Sequence, residues 1–233
     1  MYTILVMNDV SKIGIYPSIM CAKSWEIKEY LKLFEGRKID AVHFDIMDGH
    51  YVPNITIGSN LLKDIREISD LPLDLHFMVE RPESIIPFFE LKEGDSCCFH
   101  PETSNDPYRL LQFLKEKGVK AGLAISQSTP LDYVENTVEI LDYLLVMAVN
   151  PGFAGQKMLP DHLNKLKRIS ELLSSRHKDI EIVVDGNTNL QNSCMMLKNG
   201  ATGFVAGTSS LFRGGPEKFN ENYDLYMEGL KNG

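Results

Sequence analysis

The chain has 233 residues, a length ordinary for one α/β barrel, and its 43% hydrophobic and 24% charged residues predict a soluble globular protein. A formal net charge of −8 argues against nucleic acid or an anionic membrane as the main partner, and no apolar run is long enough to cross a bilayer. The cysteines lack C-x-x-C spacing, which favours a reduced, cytoplasmic protein; they are Cys21, Cys97, Cys98 and Cys194.

Short apolar runs alternate with amphipathic segments along the chain, at a spacing of roughly 20 to 40 residues that suits βα units and a parallel sheet. The runs centre near Ile15, Phe44, Leu75, Cys98, Leu123, Val146, Val183 and Val205. Eight units predict a single (β/α)₈ barrel over residues 13–233, preceded by an N-terminal extension over residues 1–12. An open doubly wound sheet is the alternative, although no G-x-G-x-x-G follows the first run.

Helix signals stand between the runs. Apolar residues at i, i+3, i+4 and i+7 from Ile27 predict a helix with Ser24 as its N-cap and Gly36 as its stop. The pair Asp106-Pro107 predicts the start of a later helix, which Gly118 ends.

The second run is unusual because polar side chains interrupt it on one face only. In a strand, alternate side chains share a face. Val42, Phe44 and Ile46 therefore make one face apolar, while His43 and Asp45 project together from the other.

Further polar residues occur in the third run, as His76, and at the end of the seventh, as Asp185. The carboxyl ends of barrel strands meet at one face, so these two side chains could complete a His₂Asp₂ set with His43 and Asp45. A single buried His or Asp at a strand end is usually structural. The repetition on three strands favours a site for a divalent metal.

Two other polar residues belong to the same runs. Asp74 lies two residues before the third-run histidine and is predicted to hydrogen-bond a histidine N–H from behind the site. His100 also ends a run, but its neighbours suggest no partner, so it is interpreted as structural.

Glycine-bearing turns follow three late runs: NPGFAGQ at 150–156, DGN at 185–187 and AGTSS at 206–210. Glycine lets backbone N–H groups approach an anion closely. One such turn would mean little, but barrels often place a phosphate site after strands seven and eight. The predicted phosphate-binding residues are Gly152, Gly155, Gly186, Asn187, Gly207, Thr208 and Ser209.

Three methionines, Met47, Met78 and Met147, also lie near run ends. Methionine there usually only fills the core. The alternative is an apolar lid that keeps water away from a reactive intermediate.

With these residues in view, the sequence resembles the ribulose-phosphate 3-epimerase family from about residue 13 to 212. The motifs that carry the likeness are PSIM at 17–20, HFDIMDGHYVPN at 43–54, LDLHFMV at 73–79, NPGFAGQ at 150–156 and VDG at 184–186, in the family's order and spacing. The resemblance implies a barrel of the ribulose-phosphate-binding type and an isomerase that epimerises C3 of a phosphorylated ketose.

The resemblance also implies a metal and the catalytic pair. One divalent ion, zinc first with Mn, Fe, Co or Mg as alternatives, is expected on His43, Asp45, His76 and Asp185. Asp45 and Asp185 are implied as the two acid/base groups, which move the C3 proton through a metal-stabilised enediolate.

Further roles follow from the same likeness. Ser18 is implied as a substrate-pocket residue, and His76 is expected to face the substrate as well as the metal. Met47, Met78 and Met147 are implied as the cap over the reacting carbons. Barrels of this kind commonly associate, so a homo-oligomer is expected.

Two branches of the family remain open. HPET at 100–103 and GTSSLF at 207–212 resemble the D-allulose-6-phosphate 3-epimerase branch, whereas Asn150 matches the ribulose-phosphate enzymes. Asn187 replaces the glycine usual in the pentulose branch, and Asn tolerates a left-handed backbone. The expected reaction therefore joins D-ribulose 5-phosphate to D-xylulose 5-phosphate, or D-allulose 6-phosphate to D-fructose 6-phosphate.

Two other functions stay as alternatives. A lyase or decarboxylase of the same phosphate-binding superfamily would carry Asp-x-Lys at the second run, where this chain has Asp45-Ile46-Met47. A non-catalytic sugar-phosphate-binding protein would tolerate the loss of an acid/base residue, yet both Asp45 and Asp185 are present.

Overall fold

The computed structural model describes residues 9–56 and 58–233. Most of the predicted extension, residues 1–8, lies outside the described residues, and the boundary at residue 12 stays a prediction. Val10–Lys12 form a 3₁₀ turn that Asp9 caps, because its carboxylate accepts from the backbone N of Ser11 at 3.2 Å.

Within the described residues, eight strands alternate with eight α-helices. The strands are β1 (Gly14–Pro17), β2 (Val42–Met47), β3 (Leu73–Met78), β4 (Ser96–Phe99), β5 (Lys120–Ile125), β6 (Tyr143–Met147), β7 (Glu181–Asp185) and β8 (Gly203–Ala206). The helices are α1 (Ile27–Glu35), α2 (Ser59–Arg66), α3 (Pro82–Ile85), α4 (Pro107–Glu116), α5 (Asp132–Thr137), α6 (His162–Ser175), α7 (Leu190–Leu197) and α8 (Phe219–Asn232). No described helix is both long and apolar enough to span a membrane.

The strands form one parallel sheet in the order β1-β8-β7-β6-β5-β4-β3-β2. Its two outer strands also meet, because Ser18 makes a parallel bridge to His43 and the N–H of Asp40 donates to the carbonyl of Ile15 at 3.0 Å. The sheet is therefore a nearly closed ring. The (β/α)₈ barrel is confirmed, and the open doubly wound alternative is wrong because its edge strands would stay apart.

The strands contribute to two hydrophobic cores, one between the sheet and the helices and one inside the barrel. Val42, Phe44 and Ile46 of β2 pack outward against the helices, as the period-two pattern predicts. Cys97 and Cys98 divide in the same way, since the first joins the outer core and the second the barrel interior. The inward face of β2 is therefore free to present polar groups at the barrel mouth.

One predicted helix start is confirmed and another is wrong. The Asp106 carboxylate caps α4 by accepting from the backbone N of Arg109 at 3.1 Å, and Gly118 stops the helix with φ 74°. Ser24 is not the N-cap of α1, because Ser24–Glu26 form a 3₁₀ turn that runs directly into the helix. The i→i+3 bonds of that turn satisfy the first N–H groups, so no side-chain cap is needed.

Candidate metal and active site

Four side chains from three strands meet on the inner side of the barrel. His43 and Asp45 project from β2, His76 from β3 and Asp185 from the last position of β7. Each offers one ligand atom, and the four atoms lie within 4.8 Å of one another. The structure thus brings the predicted set together.

The facing atoms suit a single cation. Nε2 of His43 and Nδ1 of His76 each lie 3.2 Å from Oδ1 of Asp45, and Nδ1 of His76 lies 4.0 Å from Oδ2 of Asp185. Ligands at about 2.0 Å from a tetrahedral zinc ion are about 3.3 Å apart, so these spacings are compatible with that geometry. Two imidazole nitrogens and two carboxylate oxygens also form a donor set that zinc accepts.

His43 is held from behind by a buried carboxylate. Nδ1 of His43 lies 2.7 Å from Oδ2 of Asp74, and the other oxygen of Asp74 accepts from the hydroxyls of Tyr143 and Ser96, each at 2.8 Å. His43 and Asp74 are fully buried. The prediction that Asp74 hydrogen-bonds a histidine is confirmed.

His76 is held by a second histidine, a partner that the sequence did not indicate for His100. Nε2 of His76 lies 3.0 Å from Nε2 of His100, whose Nδ1 lies 3.3 Å from Oγ of Ser126. His100 directly follows β4, and β4 pairs with β3 in parallel, so the contact depends on strand order. The predicted barrel makes β3 and β4 neighbours, but only the structure shows that these two rings face each other.

The two histidines have opposite electrostatic surroundings. Burial lowers the pKa of His43, but the nearby charges of Asp45 and Asp74 outweigh it and raise the pKa well above its usual value of 6.5. Burial also lowers the pKa of His76, to about 4, because the contribution of Asp45 is opposed by His100 and His43.

The two aspartates also differ. Burial raises the pKa of Asp45, but His43 and His76 outweigh it, so this carboxyl stays ionised. Burial and the charge of Asp45 together raise the pKa of Asp185, a shift that His43 only partly offsets. A carboxylate that accepts a proton and a carboxyl that holds one therefore stand side by side, as acid/base chemistry requires.

A cleft of about 620 Å³, including space open to solvent, opens above these groups. Its lining contains both aspartates and Ser18, whose hydroxyl donates to Oδ2 of Asp45 at 3.2 Å. The predicted phosphate and cap residues line it too: Gly152, Gly155, Gly186, Asn187, Gly207, Thr208, Ser209, Met47, Met78 and Met147. His76 is fully buried and lies with the ligand atoms rather than on the cleft surface.

The loop after β7 needs its glycine. Gly186 has φ 102°, and a Cβ there would lie 2.5 Å from Cγ2 of Val149. Asn187 follows with φ 51°, so the left-handed backbone expected of this residue is confirmed. Its side-chain amide donates to the carbonyl of Gln156 at 2.8 Å, which joins this loop to the loop after β6.

The loop after β2 contributes residues that the sequence did not single out. The amide of Asn54 donates to the carbonyl of Gly152 at 2.8 Å, and the hydroxyl of Tyr51 donates to Glu102 at 3.0 Å. Met47 and Met78 pack with Val52 from the same loop. These residues stand inside or just beyond a quoted motif, but only the fold shows what they touch.

Comparisons with known proteins agree with the resemblance that the motifs indicated. A sequence model of the Ribulose-phosphate 3 epimerase family matches residues 14–212, within one residue of the range that the motifs indicated. Similar proteins include ribulose-phosphate 3-epimerase of Bacillus subtilis strain 168, 38% identical over 84% of this chain and 91% of that protein. The enzyme of the same name from Escherichia coli K12 is 40% identical over 84% of this chain and 87% of its own length.

Solved structures support the fold. A tryptophan synthase alpha-subunit variant from Pyrococcus furiosus superposes with a TM-score of 0.61 at 12% identity, covering 97% of this chain and 98% of that chain. A thiamine phosphate pyrophosphorylase from the same organism gives 0.59 at 16% identity, covering 96% and 99%. At such identities the likeness shows the barrel alone.

Proposed function

The chain belongs to the ribulose-phosphate 3-epimerase family and is therefore an isomerase, and from this premise we propose that it interconverts D-ribulose 5-phosphate and D-xylulose 5-phosphate. The names of its relatives support the pentulose substrate. The observation that carries the proposal is the pair Asp45 and Asp185, which share one cluster and one cleft with opposite pKa shifts.

The metal belongs to the proposal as well. His43, Asp45, His76 and Asp185 would hold one divalent ion, with zinc first and Mn, Fe, Co or Mg as alternatives. Such an ion supplies positive charge that stabilises the negative charge developing on the substrate oxygens. The donor atoms and their spacing support this assignment.

The two aspartates carry the proton transfers. Epimerisation at C3 removes the proton beside the C2 carbonyl and returns one to the opposite face of the carbon. Asp45, which is ionised, is suited to take a proton, and Asp185, whose pKa is raised, is suited to give one. In the reverse direction the two residues exchange roles.

The rest of the cleft positions the substrate and excludes water. The backbone of the loops after β7 and β8 would bind the phosphate without a lysine or arginine, as glycine-rich barrel loops do. Met47, Met78 and Met147 provide an apolar wall over the reacting carbons. Fixing the phosphate at one end holds C3 between the two aspartates.

The proposal also covers the location and the assembly of the protein. We infer that the protein works in the cytoplasm, where its four free cysteines stay reduced. We also propose a homo-oligomer, because large apolar side chains are exposed, among them Trp25 at 79%, Ile55 at 76% and Phe88 at 69%. A phosphorylated ketose is the proposed ligand, and neither nucleic acid nor a membrane is a proposed partner.

Turnover in deuterated water tests the reaction. Zinc-loaded protein is incubated separately with D-ribulose 5-phosphate and D-allulose 6-phosphate, and deuterium at C3 is followed by NMR. We expect exchange at C3 and faster turnover of the pentulose. Turnover without exchange would exclude proton abstraction at C3. Faster turnover of the hexulose would assign the protein to the D-allulose-6-phosphate 3-epimerase branch. No reaction with either sugar would favour a non-catalytic sugar-phosphate-binding protein.

A variant tests the two-base scheme. Asp185→Asn keeps the shape of the side chain but cannot exchange a proton, so we expect turnover to fall by about 10²- to 10⁴-fold. The exposed Asp179→Asn, at the opposite end of β7, is the matched control and should retain its rate. Circular dichroism checks that both variants fold, and a near-normal rate for Asp185→Asn would discard the scheme.

A further inference from the structure

The contact between His76 and His100 links the protonation of two rings that the solvent does not reach. Both residues are 0% exposed, and their Nε2 atoms lie 3.0 Å apart. A neutral imidazole has one N–H donor and one lone pair. Of the two facing Nε2 atoms, one must therefore donate and the other accept, so the tautomer of either ring sets that of its neighbour.

Which of the two Nε2 atoms donates depends on the group that faces Nδ1 of His76. The carboxylate of Asp45, 3.2 Å away, favours a proton on that nitrogen. Nε2 of His76 then accepts from Nε2 of His100, and Nδ1 of His100 must accept in turn. The hydroxyl of Ser126, at 3.3 Å, is the donor in reach.

A bound cation requires the opposite tautomers, with the His76 proton on Nε2 and the His100 proton on Nδ1, because a ligand nitrogen must present its lone pair. The Nδ1–H bond of His76 breaks, and its proton leaves through Asp45 into the cleft. The Nε2 proton of His100 passes to Nε2 of His76. Nδ1 of His100 takes up one proton from solvent on the partly exposed side of Glu102, which replaces the proton lost through Asp45. Each ring therefore keeps one proton, and the pair stays neutral.

The charge of Glu102 favours that second arrangement, in which Nδ1 of His100 carries a proton and can donate to the hydroxyl of Ser126 at 3.3 Å. The Glu102 carboxylate lies 3.7 Å from Nδ1 of His100, and its side chain is 30% exposed, which connects the buried pair to solvent. The hydroxyls of Tyr51 and Thr129 each donate to it at 3.0 Å and fix its position. The ring of Tyr51 also packs against His100, with centroids 4.8 Å apart.

We propose that His100 is a positioning residue that exchanges tautomers with His76 and thereby presents the Nδ1 lone pair of His76 to a divalent cation. The inference rests on the proposed metal site. Without His100, the Nε2 proton of His76 would be buried with no acceptor, which opposes the tautomer that a metal needs.

The first experiment needs no variant. Full-length protein labelled with ¹⁵N-histidine is stripped of metal, and long-range ¹H–¹⁵N spectra read the tautomers before and after addition of Zn²⁺. We expect His76 to change from Nδ1–H to Nε2–H, and His100 to change from Nε2–H to Nδ1–H. A zinc-bound protein in which His100 keeps its first tautomer would overturn the inference.

The second experiment measures zinc affinity by competition with a chelator. His100→Phe keeps the ring that packs on Tyr51 but removes both nitrogens, and we expect affinity to fall by about 10- to 100-fold. His100→Gln, whose amide can donate and accept, should recover part of the loss. His177→Asn removes an exposed histidine and is the control.

The outcomes separate the inference from the function on which it rests. If the wild-type protein binds no Zn²⁺, the proposed metal site fails and this inference fails with it. If the wild type binds Zn²⁺ and His100→Phe binds it equally well, only the role of His100 is overturned. Thermal unfolding of each variant shows whether a loss of affinity reflects a loss of fold.

Discussion

His43 and His76 lie on neighbouring strands and face the same point, yet the groups behind them differ. His43 is backed by the buried carboxylate of Asp74 at 2.7 Å, and its pKa is raised. His76 is backed by the neutral ring of His100 at 3.0 Å, and its pKa is lowered to about 4. His43 and Asp74 therefore form a charged half of the cluster, and His76 and His100 form a neutral half.

A third buried histidine shows what burial alone does. His162, at the start of α6, is 0% exposed, and burial lowers its pKa to about 4, a shift that the backbone of Met147 only partly offsets. His76 has the same value although Asp45 lies 3.2 Å away. At His76, the charge of Asp45 is opposed by His100 and His43 as well as by burial.

The largest expected effect is on the charged half. Asp74→Asn removes the charge paired with His43, and the amide has only one oxygen for three donors. We expect the free energy of unfolding, measured in urea, to fall by about 3 kcal/mol. Tyr143→Phe, which removes one donor and leaves the carboxylate, should cost only about 1 kcal/mol. Equal losses in the two variants would mean that the charge pair adds nothing.

An intermediate effect concerns the reference histidine. The lowered pKa of His162 means that the folded state resists protonation, so its contribution is complete above pH 6.5 and is lost as the pH falls towards 4. Between pH 6.5 and 5.5, His162→Phe should remove a pH-dependent loss of at most about 1.4 kcal/mol. Urea unfolding at several pH values measures it, with His177→Asn as the control. A pH-independent difference from wild type would contradict the expectation.

The smallest effect is expected at Glu102, the partly exposed carboxylate that faces His100. Burial raises the pKa of Glu102, but His100 and Tyr51 outweigh it and lower the pKa. The side chain is partly exposed, so solvent screens its charge. Glu102→Gln should therefore change the free energy of unfolding by less than about 1 kcal/mol. A loss as large as that of Asp74→Asn would show that the two halves do not differ in charge.

Much of the site was predictable because local chemistry repeats along the chain. The period-two alternation in β2 placed His43 and Asp45 on one face, and Asp74 was correctly expected behind a histidine. Ser24 was misjudged as a cap because a 3₁₀ turn satisfies the same N–H groups. The partner of His100 was missed because the sequence pattern does not show which side chains of neighbouring strands face each other.

The sequence by itself determined the strand and helix pattern, the family and the identity of the four candidate ligands, because periodicity and motifs are properties of neighbouring residues. Tertiary structure alone decided which group stands behind each ligand and how the opposite pKa shifts of Asp45 and Asp185 arise. Those depend on burial and on charges a few ångströms away in space, and closure of the barrel brings such groups together from distant parts of the chain.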